Sequence, residues 1–372
     1  MKQKKLIITL FFTITIMFLT IPFINNELQK HKLKKLNYEN STINLFEKEK
    51  ITDYVIKTHK YSKTLEVAIN NYNYNPKFIT NYLNIDYYEY KNFIEDINSL
   101  LTIGYNNNEI NTLFKHLNNN NLKLILENDY NQNITSYLKL TYFNENNLER
   151  YLNYQKNNPN LSIEEIITFV NNNLDYDFYT NVSKIENEND ITILVNKYNY
   201  LDPNFIPTDL EKISPLFSTK EINLKKQALI PFEQMCADAL ALNITIKAGS
   251  GFRDYNYQKT LYENYIKIDG ITKADTYSAR PGYSEHQTGL AIDLKDQNNN
   301  YLKEDSIEYN YIINNSYKYG FILRYPKNKE HITGYTFEPW HIRYIGTKIA
   351  TYLHQNNLTY EEYIGKLPPK KD

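Results

Sequence analysis

The sequence predicts a C-terminal α+β domain, built on a mainly antiparallel sheet with flanking helices, preceded by an all-α domain and an N-terminal transmembrane helix. Three observations predict it. Lys2, Lys4 and Lys5 precede an uncharged apolar run from Leu6 to about Ile24. Between Leu36 and Glu188 the only glycine is Gly104, while Leu, Ile, Tyr and Phe recur at helical spacings. Every other glycine lies beyond Ile191, among segments rich in Val, Ile and Leu. The expected divisions are an anchor over 1–35, a helical spacer over 36–188 and the α+β domain over 189–372.

The apolar run is close to the ~20 residues that cross a bilayer as a helix. Small residues in a cleavage pattern are absent between Pro22 and Glu27, so an uncleaved, single-pass anchor is expected rather than a removed signal. Lysines flank the run on both sides, with Lys30, Lys32, Lys34 and Lys35 following it, so charge does not set its orientation.

In the helical stretch, Glu109, Ile110, Leu113, Phe114 and Leu117, followed by Leu122, Leu124 and Ile125, read as a helix, a short turn and a second helix. Similar units are expected around 79–97 and 134–152, in a loose repeat that matches no known class. The abundance of Asn, Ile, Lys and Tyr reads as a compositional habit.

Asp202-Pro203 and Ile206-Pro207 then favour extended chain. A helix follows over about 223–242, with Cys236 on its apolar face as a buried core residue, then a strand over 244–248. Asp254 caps a helix whose Gln258, Leu261, Tyr262 and Tyr265 share a face, and Gly270 ends it. Strands are expected over 290–294 and 321–324, with a helix over 307–319 closed by Gly320 between them. Extended chain is expected over 332–335 and 340–344, and Thr359 with Glu362 forms a capping box for a last helix.

A net charge of -1 gives no basic field, which argues against nucleic acid as a partner, and the domain is expected to be monomeric. The chemistry concentrates elsewhere. His286 and Asp293 are separated by a glycine turn and part of a strand, and Glu338-Pro339-Trp340-His341 supplies a second imidazole with a carboxylate three residues before it. Two histidines and one carboxylate leave the fourth tetrahedral position of a zinc ion (Zn2+) open to water, the arrangement of a catalytic site. Glu338 is the natural general base beside it. His331 is a loop histidine near this group, and Trp340 a wall or core residue.

Gly251-Phe252-Arg253 with Gln258, the run from Ser278 to Asp293, and Glu338-Pro339-Trp340-His341 together resemble the VanY-type D-alanyl-D-alanine carboxypeptidases, within the lysostaphin, D-Ala-D-Ala peptidase and hedgehog-like zinc group. The resemblance covers about Leu194 to Ile349 and includes Leu194-Val195-Asn196-Lys197 and the run from Phe321 to Pro326. It implies a hedgehog/D,D-peptidase-like fold and removal of the C-terminal D-alanine from peptidoglycan stem peptides. By the same mapping, His286, Asp293 and His341 hold zinc, Glu338 is the base and Arg253 stabilises the oxyanion and the substrate carboxylate. Gln258, Ser284 and Tyr325 map to substrate contacts, the first two to the substrate carboxylate. An L,D-carboxypeptidase, a cross-link endopeptidase or a wall-binding module that keeps zinc without turnover are the alternatives. Because peptidoglycan lies outside the membrane, the catalytic domain is expected to face outward, with Met1 to Lys5 in the cytoplasm.

Overall fold

The computed structural model describes residues 23–369. The expected transmembrane segment lies outside the described residues apart from its last positions, and among the described residues no helix is long and apolar enough to cross a membrane. The chain forms two compact units that divide after Lys139.

The first unit is a succession of short helices, including Asn40–Lys48, Lys63–Ile69, Phe93–Ile103, Asn107–His116 and Asn119–Leu126. The helix, turn and helix expected at 109–125 are the last two of these. Many of the asparagines have a local task. Asn106 forms a capping box with Glu109, and the Asn118 side chain accepts from Asn121 N to start the next helix. A Tyr–Asn device recurs along the chain. Asn75 N donates to the Tyr82 hydroxyl at 3.2 Å, and Tyr82 donates to Asn98 Oδ1. Asn144 N donates to the Tyr151 hydroxyl at 3.2 Å, and Tyr151 donates to Asn171 Oδ1. Each buried tyrosine ties a turn to a later helix, which gives the loose sequence repeat a physical content.

The second unit, from Leu140 onward, contains the sheet. It also contains helix α1 (Ile163–Asn171), although the change of character in the sequence falls near residue 189. Hydrogen bonds explain this grouping: Asn172 Nδ2 donates to Glu361 O at 2.8 Å and Asn171 Nδ2 to Gly365 O at 2.9 Å, tying the end of α1 to the end of the chain. A hairpin of Leu210–Lys212 with Asn223–Lys225 leads into α2 (Lys226–Ala241). Strand β1 (Lys247–Ser250) is followed by α3 (Tyr255–Asp269), which Asp254 caps through Tyr257 N and Gly270 ends. Then come β2 (Ala291–Lys295), α4 (Ile307–Asn315), β3 (Phe321–Leu323), β4 (His341–Tyr344), α5 (Thr347–Asn356) and α6 (Tyr360–Gly365). The four strands form one antiparallel sheet in the order β1-β2-β4-β3.

Three local expectations are corrected. The helix expected over 223–242 starts only at Lys226, because Asn223–Lys225 pairs as a strand with Leu210–Lys212. Residues 332–335 are not extended: Glu330–Thr333 is a helical turn closed by Gly334 at φ 76°, a left-handed cap that outweighs the strand propensity of Ile332 and Thr333. The strand expected at 244–248 begins only at Lys247, because Ile244 and Ile246 are spent on packing into the core after the left-handed turn at Asn243. The capping box at Thr359 and Glu362 is present as read.

The sheet separates core from chemistry. Alternation along β2 and β4 turns Ile292, Leu294 and Ile342 into a core with Leu229, Phe232, Met235 and Cys236 of α2. The buried Cys236 thiol is pushed up by desolvation, as suits a packing residue. Ile322 on β3 belongs to a second cluster with Ala350, Leu353 and Tyr360 of α5 and α6. Phe232 is fully buried and packs edge-on against Phe321. Phe232→Ala is expected to cost about 3–5 kcal/mol in chemical denaturation, and a loss below about 1 kcal/mol would contradict this core assignment.

Candidate metal centre

Antiparallel pairing sets Asp293 of β2 directly opposite His341 of β4. Both side chains leave the sheet on the face away from Ile292 and Ile342. His286 arrives from the turn Glu285–Thr288, which the Ser284 hydroxyl starts by accepting from His286 N and Gly289 ends at φ 68°. His286 Nδ1 lies 2.7 Å from Gly251 O, so its Nε2 turns toward Asp293 Oδ2 at 3.3 Å. Glycine is required at 251 by the neighbouring hairpin strand, since a Cβ there would stand 2.5 Å from Ile222 Cγ2 and 2.7 Å from Asn223 O.

His286, Asp293 and His341 each offer a ligand atom, and the three atoms lie within 4.8 Å of one another. His341 presents Nδ1 to this group, 3.3 Å from Asp293 Oδ1 and 3.4 Å from Glu338 Oε2. All four residues are buried. With Nδ1 donating to the Gly251 carbonyl, Nε2 of the neutral ring carries a lone pair that has no hydrogen-bond partner and that a metal ion would satisfy. Burial and the nearby Arg253 lower the His286 pKa to about 4, which keeps its imidazole neutral as a metal ligand must be. Burial alone would raise Asp293, but His286, His341 and Arg253 overcome it and hold the carboxyl well below its ordinary range. Glu338 goes the other way: burial raises its pKa, with Asp293 adding to the shift and His341 opposing it. The donor set, its convergence and the unsatisfied nitrogen fit a divalent metal.

The centre opens into a cavity of about 310 Å³ that contains every residue the sequence assigned to the site. Arg253 is held by its backbone N donating to His286 O at 3.2 Å; its Nη1 lies 3.8 Å from Asp293 Oδ2, and its buried Nε has no partner. The Gln258 amide nitrogen donates to Ala279 O at 2.8 Å and Ser278 Oγ at 3.5 Å, leaving Oε1 without a partner. What Gln258 can offer a ligand is therefore an acceptor, which suits an N–H and not the carboxylate expected from sequence. Tyr325 is buried with its ring 4.8 Å from that of His341, and its carbonyl accepts from Glu338 N at 3.1 Å. Trp340 is both wall and core neighbour. His331 stands apart, exposed on its own turn with its ring 6.1 Å from that of Phe169.

Sequence reasoning missed Glu285 and the walls supplied by Tyr277, Tyr301 and Tyr335. The tyrosines come from three separate segments and carry no local signal. Glu285 had one faint signal, a charge inside the His286 motif. Asp293→Asn and His341→Ala are each expected to abolish stoichiometric zinc binding measured by elemental analysis of the purified protein; retention of one tightly held zinc in either would contradict the ligand set.

Residues 221–347 match the family model described as "VanY: D-alanyl-D-alanine carboxypeptidase". The YodJ protein of Bacillus subtilis (strain 168), whose name places it among carboxypeptidases, is 40% identical over 191 residues, covering 49% of this chain and 70% of that protein. The bifunctional D-Ala-D-Ala dipeptidase and D-Ala-D-Ala carboxypeptidase VanXYC of Enterococcus gallinarum is 36% identical over 176 residues, covering 46% of this chain and 91% of its own length. Among solved structures, the LdcB LD-carboxypeptidase is 39% identical, with a TM-score of 0.48, over 50% of this chain and 92% of that one. With two relatives of 36–40% identity spanned over most of their length, the chain belongs to the VanY family of D-alanyl-D-alanine carboxypeptidases.

Proposed function

We propose that this chain is a zinc-dependent carboxypeptidase that removes the C-terminal D-alanine from peptidoglycan stem peptides ending in D-Ala-D-Ala. The observation that carries this reading is the buried convergence of His286, Asp293 and His341 beside Glu338, open on one side to a cavity lined by a fixed arginine and aromatic rings. VanXYC and two other enterococcal relatives of the chain are named for action on D-Ala-D-Ala, which supports the choice of substrate.

His286 through Nε2, Asp293 through a carboxylate oxygen and His341 through Nδ1 would hold the zinc ion. The ion, when bound, supplies Lewis acidity that makes water a nucleophile near neutral pH and polarises the scissile carbonyl. Glu338 takes the proton of the attacking water and returns it to the departing amine of D-alanine. Its burial suits the role, since a carboxylate with a raised pKa is a stronger base than an exposed one. Arg253 presents guanidinium N–H groups to the oxygen on which negative charge develops, with its backbone anchored so that little reorganisation is needed. The Ser284 hydroxyl can donate to the terminal carboxylate while its oxygen caps the His286 turn, and Gln258 Oε1 accepts from a peptide N–H of the substrate. Tyr325 forms the pocket floor against His341 and holds the Glu338 backbone.

The apolar run over 6–24 supports a single-pass anchor with the enzyme on the outer side of the membrane, where its substrate lies. The helical stretch then serves as a spacer.

Purified protein is expected to release D-alanine from a pentapeptide stem, to stop on chelation and to recover with zinc. Release from a tetrapeptide stem alone would instead assign L,D-specificity. Glu338→Ala is expected to keep its zinc and lose about 10²–10⁴-fold in kcat, and unchanged turnover would exclude it as the base. Arg253→Lys is expected to lower kcat/KM by about 10²–10³-fold with metal content unchanged; a loss under about tenfold would remove the oxyanion role.

A further inference from the structure

Behind the metal centre lies a lattice of four charged side chains with no exposed surface. Glu285 Oε1 accepts from Arg324 Nε at 2.8 Å and pairs with Arg343 Nη1 at 3.1 Å. The other edge of the Arg324 guanidinium meets both oxygens of Glu361, at 2.6 and 2.9 Å. Two acids and two arginines balance in charge. A buried ion-pair cluster is a weak means of stabilising a fold, because stripping water from each ion costs several kcal/mol. Its position offers a better account.

The second oxygen of Glu285 points at the metal centre. Oε2 lies 3.6 Å from His341 Nε2, and both atoms are buried with no hydrogen-bond partner of their own. Each is what the other lacks. A proton on Nε2 would face Oε2 across 3.6 Å, a small shift short of a hydrogen bond, and it leaves the Nδ1 lone pair free on the side where Asp293 and His286 converge.

We propose that Glu285 is a positioning residue that fixes the tautomer and ring orientation of His341, and that Glu361 braces it through Arg324. The proposal rests on the reading of His341 as a metal ligand. It extends the metal site beyond residues 221–347, because Glu361 sits on α6, whose backbone is held by Asn171 and Asn172 at the end of α1. Arg343 ties in a further segment by donating to Ile191 O and Ile193 O at 3.1 and 3.2 Å. Chain on both sides of the family-matching region therefore holds the orientation of one ligand.

The test is a double-variant cycle read as zinc affinity, by competition with a chromophoric chelator on the intact chain. Glu285→Gln is expected to weaken zinc binding by about 10–100-fold. In a His341→Ala background the same substitution is expected to change the residual affinity less than about twofold, since the group it positions is gone. An undiminished affinity in Glu285→Gln, or an equal loss in both backgrounds, overturns the proposal. If Glu285→Gln does not fold, Glu361→Gln takes its place in the cycle, with a weaker loss of the same sign expected and the same overturning outcomes. Unchanged affinity in His341→Ala alone would overturn the ligand reading itself, and is thereby distinguishable from failure of the positioning role.

Discussion

The structure depends on one opposition: Asp293 and His341 face each other across the β2–β4 pairing, on the side of the sheet turned away from the apolar core. Because side chains alternate with a period of two, the residues that lock the register also aim Asp293 and His341. Ile292, Leu294 and Ile342 can enter the core only if Asp293 and His341 leave it. A slip of one residue would drive a carboxylate and an imidazole into the packing of Phe232 and Met235. The hydrophobic effect thus sets the placement of the polar centre, and His286 has only to be brought to it by a glycine-framed turn.

Much of this was legible in the sequence because it is local or chemical. Caps such as Asp254 and Thr359 act within a turn of themselves, so the residue type announces the helix start. The convergence of His286, Asp293 and His341 was legible because imidazole and carboxylate near glycine turns are chemically distinctive. Other features depend on contacts between distant segments. Gln258, mapped in sequence to a substrate-carboxylate contact, lines the cavity, but its polarity toward a ligand is set by Ala279 O, a partner invisible to spacing. Glu285 shows in sequence only as a charge inside the His286 motif; Arg324 and Arg343, from two other strands or their ends, pair with it in the interior. The turn at 330–334 was misread because strand propensity is weaker than a glycine placed to end a helix.

The same dependence on distant contacts explains why the compact unit begins at Leu140. Composition changes where the strands begin, but the asparagines that end α1 bond to the backbone of α6. Together with the ion pairs around Arg324, they make the terminal helix part of the wall behind His341. Buried charge of this kind contributes little net stability but constrains orientation, which a metal centre requires of its ligands.

The central claim is that three residues meet on one ion and leave a position open. X-ray absorption at the zinc edge of the purified, zinc-loaded protein tests this directly. The account predicts a four-coordinate zinc with two imidazole nitrogens and two oxygens at about 2.0–2.2 Å, one oxygen coming from Asp293 and one from solvent. A spectrum requiring a sulfur ligand, or fewer than two imidazoles, would contradict it.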